Sequence, residues 1–301
     1  MELAQLTMFK VVAEQGSIVQ ASKLLHCVPS NITNRIKLLE RELGVPLFIR
    51  KGRGLVISPS GTLLLGYANR ILSLCQEARR ALDPEAAPAG PLRIGAIESS
   101  ATGRLPALLS RYHHEYPTVD LQFSTGTWSQ LVAKVADHQL DGAIIAVDSN
   151  HPDLEHLALY EEALVLIASP TVGKITQPQD LAGKPLFMWP DGCPYRQALE
   201  QWLNKHQVPF NITSIASYGT ILGCVSAGAG VSLVPAGVFE QFKHMGNING
   251  FSLNPLKPVQ NYFVWNKHTG AHRAKDAFVW LLEGEFKGFG SVLGNAAGYE
   301  I

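Results

Sequence analysis

A run of short polar side chains follows a proline near the start of the chain, on the outside of a predicted helix. The helix is indicated by Ile32, Ile36, Leu39 and Leu43, which recur at the spacing of one apolar face. Hydroxyl, amide and cationic groups near the start of such a helix can reach base edges in the major groove of DNA. The helix N-terminus itself favours phosphate. We therefore predict DNA contacts from Ser30, Asn31, Thr33, Asn34, Arg35 and Lys37.

A basic turn comes soon after this helix. Two short apolar segments, 46–49 and 55–57, flank the letters RKGRG and predict a β-hairpin, with glycines that allow a sharp turn. Cations at a hairpin tip can contact backbone phosphate or enter the minor groove, as the wing of a winged helix does. The predicted contacts of this turn are Arg50, Lys51 and Arg53.

Two further helices must hold the polar helix in place. Apolar residues from Leu3 to Ala13 indicate the first, which ends at Gly16, while Ser17 is the predicted cap of the second. Ser30 is the predicted cap of the third. Two short helices joined by a tight turn, behind a supporting helix, are typical of the helix-turn-helix motif.

A long helix is predicted from Ser58-Pro59, and Asp83–Pro91 reads as the linker that follows it. Apolar residues within the helix recur at heptad spacing, which predicts pairing with a second copy of the chain. The alternative is that this seam packs against the chain's own body. The seam consists of Leu64, Ala68, Ile71, Cys75, Ala78 and Leu82.

Charge is distributed unevenly along a chain whose total formal charge is zero. Residues 1–82 carry a net charge of +6, and residues 83–301 carry −6. A basic N-terminal segment on an acidic remainder suggests that only the N-terminal segment meets a polyanion. The alternative is that the charges are simply a solvated surface.

Several other classes of protein are disfavoured. No run of 18 apolar residues or signal-peptide pattern appears, so we expect a cytoplasmic protein without a membrane partner. The four cysteines form no CxxC pair, and reduced thiols are expected, although Cys193 and Cys224 leave a redox pair open. We find no nucleophile elbow, phosphate loop or metal-ligand spacing, and predict no enzyme, no cofactor and no metal site.

From Leu92 onward, strands and helices alternate, which predicts two α/β lobes with parallel sheets. Ligands of such folds gather beyond the carboxyl ends of the strands. The hydroxyl groups there suggest a polar or anionic small molecule, with Arg196 pairing with an anion and Trp128 covering an apolar part. The residues predicted to bind this effector are Ser99, Ser100, Thr102, Thr125, Thr127, Trp128, Val147, Cys193, Arg196, Tyr218 and Thr220.

The stretch from Phe9 to Gly61 closely resembles the LysR-type transcriptional regulators. The resemblance is carried by FKVVAEQGSIVQASKLLHCVPSNITNRIKLLERELGVPLFIRKGRGLVISPSG, and it continues more loosely through LRIGAIESSATGRLP and SAGAGVSLVP. One departure is Pro29, where the family often has Gln. Because proline offers no side-chain hydrogen bond, base recognition would depend on Asn31, Thr33 and Asn34.

The resemblance implies a winged helix-turn-helix (residues 1–58), a linker helix and hinge (59–90) that form a homodimer, and an effector-binding domain (91–301). That domain would resemble type 2 periplasmic binding proteins, with lobe I at about 91–163 and 262–301 and lobe II at about 164–261. It also implies double-stranded promoter DNA as partner, an effector between the lobes that changes DNA bending or contacts, and a homotetramer. RNA polymerase is a further expected partner. The alternative is a small-molecule binding protein whose basic N-terminal segment does not read DNA.

Overall fold

The structure is a computed structural model that describes residues 1–51, 54–81, 87–244, 247–253 and 256–286. Its N-terminal part is three helices, a hairpin and a long fourth helix. These elements are α1 (Leu3–Gln15), α2 (Ile18–Leu24), α3 (Pro29–Leu43), β1 (Phe48–Lys51), β2 (Gly54–Ile57) and α4 (Pro59–Ala81).

The helix boundaries follow local chemistry. Gly16 and Gly44 end α1 and α3 in the left-handed conformation, and the Ser17 hydroxyl accepts a hydrogen bond from Gln20 N at the start of α2. The prediction that Ser30 caps α3 is wrong. The cap residue is Val28, because Pro29 occupies the first helical position, where its missing N–H costs nothing.

The hairpin is held against the helices by polar contacts to the backbone. The Glu40 carboxylate accepts hydrogen bonds from Leu47 N at 2.8 Å and Phe48 N at 3.3 Å. At the start of α4, the Ser58 hydroxyl accepts from Gly61 N and donates to Pro46 O. A Cβ at Gly61 would lie 2.2 Å from Leu47 O, so the backbones approach too closely for any other residue.

The first half of the predicted heptad seam packs within its own subunit. Ala68 is fully buried in the core formed with Leu6, Phe9 and Leu39, and Leu64 and Ile71 pack against the same cluster. The alternative, that the seam packs against the chain's own body, therefore holds for Leu64, Ala68 and Ile71, which cover α1 and α3. Pairing with a second copy stays a prediction. Leu82 and the segment 82–86 lie outside the described residues.

The first α/β lobe contains a five-stranded sheet in the order β4-β3-β5-β12-β6, with β3 parallel to β4 and β5. Its elements are β3 (Gly90–Ala96), α5 (Glu98–Gly103), α6 (Pro106–Glu115), β4 (Val119–Thr125), α7 (Trp128–Ala136), β5 (Gly142–Ile145), β6 (Leu154–Glu162), β12 (Val259–Asn266) and α11 (Arg273–Phe286).

The second lobe contains a five-stranded sheet in the order β11-β7-β10-β8-β9, with β8 parallel to β9 and β10. Its elements are β7 (Leu164–Ala168), β8 (Leu186–Met188), α8 (Pro194–Lys205), β9 (Ile212–Ser214), α9 (Tyr218–Ser226), β10 (Val231–Pro235), α10 (Ala236–Phe242) and β11 (Asn249–Ser252).

The chain crosses between the lobes twice, after β6 and before β12. The second crossing falls slightly earlier than the predicted boundary at about 262, because β12 begins at Val259 and pairs with β5 and β6 of the first lobe. Near the first crossing, the buried Glu162 carboxylate accepts two hydrogen bonds from Arg104 and one from Gly237 N in α10. This cluster joins the two lobes near the first crossing.

Candidate functional site

The outer face of α3 presents most of the predicted DNA-contacting residues to solvent. Ser30, Asn31, Asn34 and Lys37 are exposed, and Thr33 and Arg35 are half-buried. Opposite them, Ile32, Ile36 and Leu39 are buried against α1 and α2. The apolar stripe therefore fixes which side chains face outward.

Two of the six residues already have partners within the subunit. The Thr33 hydroxyl donates to Pro29 O at 2.9 Å, and the Arg35 guanidinium pairs with Glu2. A base contact by Arg35 would require that ion pair to open, so it fits a DNA contact less well than its neighbours do. Asn34 and Lys37 face solvent at the middle of the helix.

The predicted wing is an antiparallel hairpin in which Lys51 of β1 pairs with Gly54 of β2. Arg50 and Lys51 lie in β1, while their side chains and all of Arg53 lie outside the described residues. The hairpin follows α3 directly, which is the order of a winged helix-turn-helix.

A cavity of about 490 Å³ lies between the two α/β lobes. This volume is that of a small-molecule site. Its walls come from the carboxyl ends of strands and the first turns of helices in both lobes, as expected for α/β sheets. Its lining residues are Ile97, Glu98, Ser99, Thr125, Gly126, Thr127, Trp128, Ser129, Gln130, Ala146, Trp189, Pro190, Asp191, Gly192, Cys193, Pro194, Tyr195, Ala216, Ser217 and Tyr218.

The cavity brings together six of the predicted effector-binding residues, namely Ser99, Thr125, Thr127, Trp128, Cys193 and Tyr218. The other five do not line it. Ser100 is buried and accepts a hydrogen bond from the Tyr160 hydroxyl, and Thr102 lies one turn further along α5. Ala146 lines the cavity in place of the adjacent Val147, and Thr220 bonds through its amide and hydroxyl to Ser217, which does line it.

Arg196 is not among the residues that line the cavity, and its guanidinium already has partners within the chain, so the structure gives no support to the prediction that it pairs with a bound anion. Its guanidinium bonds to Asp191 at 2.6 Å and Glu200 at 2.7 Å, and it donates to the Ser214 hydroxyl at 2.9 Å. The i,i+4 spacing to Glu200 along α8 draws the side chain away from the cavity. The positive charge of Arg196, which we expected to pair with the ligand, is already paired with two carboxylates.

Direct contacts link the lobes around the cavity. The Ser99 hydroxyl of α5 donates to the Tyr195 hydroxyl of α8 at 3.4 Å, and the Tyr195 hydroxyl donates to Asn261 Oδ1 of β12 at 3.3 Å. Burial raises the pKa of Tyr195, so its hydroxyl stays protonated and remains a donor. At the other side of the cavity, Trp128 Nε1 donates to Gly192 O at 3.2 Å.

Cys193 is a poor candidate for a reactive thiolate. Burial raises its pKa, and this effect outweighs the hydrogen bonds from the backbone amides of Arg196 and Tyr195. Reactive cysteines need the opposite shift. All four cysteines are free thiols, so the structure gives no support to a redox pair of Cys193 and Cys224.

Sequence reasoning missed several residues of the cavity, among them Glu98, Trp189 and Ser217. Each follows a strand directly or caps the next helix, so the rule that ligands lie beyond strand ends could have found them. Our selection favoured hydroxyl groups near strand ends and passed over the acid and the second indole.

Within the described residues, no group of three or more His, Cys, Asp or Glu side chains is placed to hold a metal ion. None of the described helices is both long enough and apolar enough to span a bilayer.

Comparison with known proteins identifies both parts of the chain. Residues 3–62 match the family described as "Bacterial regulatory helix-turn-helix protein, lysR family", and residues 85–287 match "LysR substrate binding domain". The uncharacterised regulator YusT of Bacillus subtilis is 38% identical over 283 residues, which cover 93% of this chain and 94% of the relative. The regulator GltR of the same organism is 34% identical over 95% of this chain and 98% of its own.

Solved structures share the fold at lower identity. A full-length OxyR variant from Pseudomonas aeruginosa matches with a TM-score of 0.78 and 22% identity, covering 95% of each chain. CbnR in complex with its target DNA matches with a TM-score of 0.68 and 22% identity, covering 95% of this chain and all of that one.

The class defined by this fold and by these matches is that of DNA-binding transcriptional regulators with a substrate-binding domain. The chain belongs to the LysR family.

Proposed function

We propose that the chain is a ligand-responsive regulator in which a small molecule between the two lobes changes how the helix-turn-helix domain engages promoter DNA. The observation that carries this proposal is the cavity of about 490 Å³, whose walls come from both lobes. A ligand that contacts both walls differs in affinity between lobe arrangements, and such a difference is what shifts a conformational equilibrium. The protein acts by binding, with no reaction of its own.

The polar side chains of the cavity indicate a ligand with hydrogen-bonding groups. Ser99 and Thr127 come from the first lobe, and Ser217 and the Tyr195 hydroxyl come from the second. Thr127, Cys193 and Ser217 are the cap residues of α7, α8 and α9, so three helix N-termini begin at the cavity wall. The partial positive charge of these termini favours an acceptor or anionic group on the ligand.

The assembly that we propose is a homodimer through α4, and a homotetramer of two such dimers. The exposed apolar side chains of α4, Leu63, Tyr67 and Leu74, support this proposal. They lie on the side of the helix that faces away from the buried Ala68. We also propose that the protein acts in the cytoplasm, where promoter DNA lies, and that RNA polymerase is a further partner.

For the division of the chain, we propose a DNA-binding domain at residues 1–58, a linker at 59–90 and an effector-binding domain from 91 onward. The return to lobe I falls just before Val259, where β12 begins. This division agrees with the two separate sets of buried clusters in the α/β part and in the helical part.

A thermal-shift screen of metabolites, followed by DNA band shifts, tests this proposal. A compound that raises the Tm should also change the affinity for DNA or the pattern of protected bases. Ser99→Ala combined with Thr127→Val should abolish the thermal shift, because it removes polar groups from one cavity wall. Ser110→Ala, an exposed hydroxyl on α6, is the matched control. A compound whose binding survives the double variant binds elsewhere, and that result would remove the cavity from the proposal.

A further inference from the structure

The charges around the cavity are all of one sign. Among its twenty lining residues the only formally charged side chains are Glu98 and Asp191, and no lysine or arginine lines it. The Asp191 carboxylate is paired with Arg196 at 2.6 Å, and that guanidinium lies outside the cavity wall. Glu98 therefore contributes a negative charge to a partly enclosed space.

Glu98 stands at the start of α5, directly after β3, and its side chain is half-buried. Its carboxylate accepts a hydrogen bond from the Thr102 hydroxyl at 3.4 Å, one helical turn further along. A single long hydrogen bond leaves most of the acceptor capacity of a carboxylate unused. A half-buried carboxylate of this kind gains most from a cationic partner, because it has lost part of its hydration.

Aromatic rings form much of the remaining wall. Trp189 and Tyr218 stack with ring centroids 4.8 Å apart, and Trp128 and Tyr195 complete the set. The electron-rich faces of indole and phenol rings attract cations, especially where water is partly excluded. A carboxylate together with several aromatic rings is a setting that binds a protonated nitrogen and disfavours a purely anionic ligand.

The helix N-termini supply the opposite preference on other parts of the wall. The caps Thr127 and Ser217 use their hydroxyls to accept hydrogen bonds from their own helices, at Gln130 N and Thr220 N. The remaining amides of those first turns can donate to an acceptor on a ligand. The cavity therefore combines a cation-attracting part at Glu98 with acceptor-binding helix ends.

We propose that the ligand of this cleft carries a protonated amine that pairs with Glu98 against the aromatic wall, and a carboxylate or other acceptor group that meets the helix N-termini. The proposal rests on the proposed function, since it names the chemical class of the effector for that same cavity. Amino acids and related amines have this combination of groups, and simple carboxylic acids lack half of it.

The test uses the full-length protein and pairs of compounds that differ in the amine. Suitable pairs are L-phenylalanine with phenylpropanoate, L-leucine with isocaproate, and tyramine with ethylphenol. The expected result is that at least one amine raises the Tm while its amine-free analogue does not. Calorimetric titration of that amine should give a Kd about tenfold or more weaker for Glu98→Gln, since the substitution removes one ion pair. Glu115→Gln, on the exposed face of α6, is the control that should leave the Kd unchanged.

The proposal is overturned if no amine in the set binds, if the amine-free analogues bind as tightly, or if Glu98→Gln leaves the Kd of the amine unchanged. If Glu98→Gln does not fold, the comparison of each amine with its amine-free analogue on the unaltered protein is sufficient to test the proposal. A further outcome is an amine-free acid that binds the unaltered protein and Glu98→Gln but not Thr127→Val. That result would overturn the proposal that the ligand carries an amine, while the cleft would remain the effector site. Binding that neither substitution affects would instead contradict the proposed function.

Discussion

Asn34 is the residue of α3 best suited to tell one base pair from another. It is exposed on the outward face of the helix, and its amide can donate and accept at the same time. That pattern matches the adjacent acceptor and donor of adenine in the major groove. Pro29, at the start of the helix, offers no such group, so we propose that discrimination depends on Asn31 and Asn34.

Replacing Asn34 with Ala should relax the preference of the protein among DNA sequences. We expect a loss of about 1–3 kcal/mol on the preferred site and little change on unrelated DNA, because only the base contact is removed. Band shifts on the preferred sequence and on versions with single base changes measure this difference. Lys23→Ala, an exposed cation on α2, should weaken all sequences about equally. An unchanged order of preference in Asn34→Ala would show that this residue does not face the bases.

Asp141, directly before β5, is joined to Arg93 of the neighbouring strand β3 by a buried ion pair in the first lobe. Its carboxylate accepts hydrogen bonds from the Arg93 backbone N–H at 2.8 Å and from the Arg93 guanidinium at 2.7 Å, and His272 lies 3.7 Å away. Burial alone would raise the pKa of Asp141, but His272 and Arg93 together hold it well below its ordinary value. An acid with a lowered pKa stabilises the folded state above its unfolded pKa and loses that contribution as the pH falls.

Asp141→Asn should therefore lower the free energy of unfolding by about 3 kcal/mol at neutral pH, because it leaves Arg93 with a buried partner that is uncharged. The difference from the unaltered protein should shrink by about 1 kcal/mol for each pH unit below about pH 4, as Asp141 becomes protonated on unfolding. Urea unfolding of both proteins across this pH range measures the difference. A deficit that stays constant as the pH falls would contradict the lowered pKa.

Helix α4 has two apolar faces with different roles. One face, with Ala68 and Ile71, completes the core of the N-terminal domain. The other carries Leu63, Tyr67 and Leu74, with 67%, 54% and 60% of their surface exposed. Exposed apolar side chains that lie together along one helix mark an interaction surface more often than single, scattered ones do.

Tyr67→Glu combined with Leu74→Glu should convert the protein to monomers, because charges on this face cannot be buried against a second copy. Light scattering measures the mass in solution. Val19→Glu, at an exposed apolar position of α2, is the control that should keep the oligomer. An unchanged mass in the double variant would place the dimer interface elsewhere.

Most helices and strands could be predicted because their signals are local. Periodic apolar residues, Gly16 and Gly44 specify helices and their ends without reference to the rest of the chain. The role of α4 could not be predicted in this way. Its heptad spacing was visible, but which face covers α1 and which stays exposed depends on residues far away in the sequence, such as Leu6 and Leu47.

The whole molecule places its two kinds of recognition in separate parts. The positively charged segment forms the helical domain and the hairpin, and the negatively charged remainder forms the two lobes around the cavity. The position of the cavity could be predicted, since strand ends in α/β folds gather ligands. The charge of the cavity could not be predicted from the sequence. It depends on the pairing of Arg196 with Asp191 and Glu200, which determines which charged groups line the cavity.

The two parts also meet in the folded subunit. Lys10 and Glu14 of α1 line a second cavity together with Arg93 and Lys134 of the first lobe. Burial lowers the pKa of Lys10, and the nearby Arg93 adds to this effect, while Glu14 opposes it. Helix α1 therefore lies next to the first lobe across this second cavity.

The most direct test of the account is selection of bound sequences from a random pool of double-stranded DNA, read by sequencing, at several salt concentrations. The account predicts one enriched motif built of two inverted half-sites, as a symmetric dimer requires, with affinity that falls steeply as salt rises. Asn31→Ala combined with Asn34→Ala should erase the motif. Failure to enrich any motif, or a motif that both substitutions leave unchanged, would contradict the claim that α3 reads DNA.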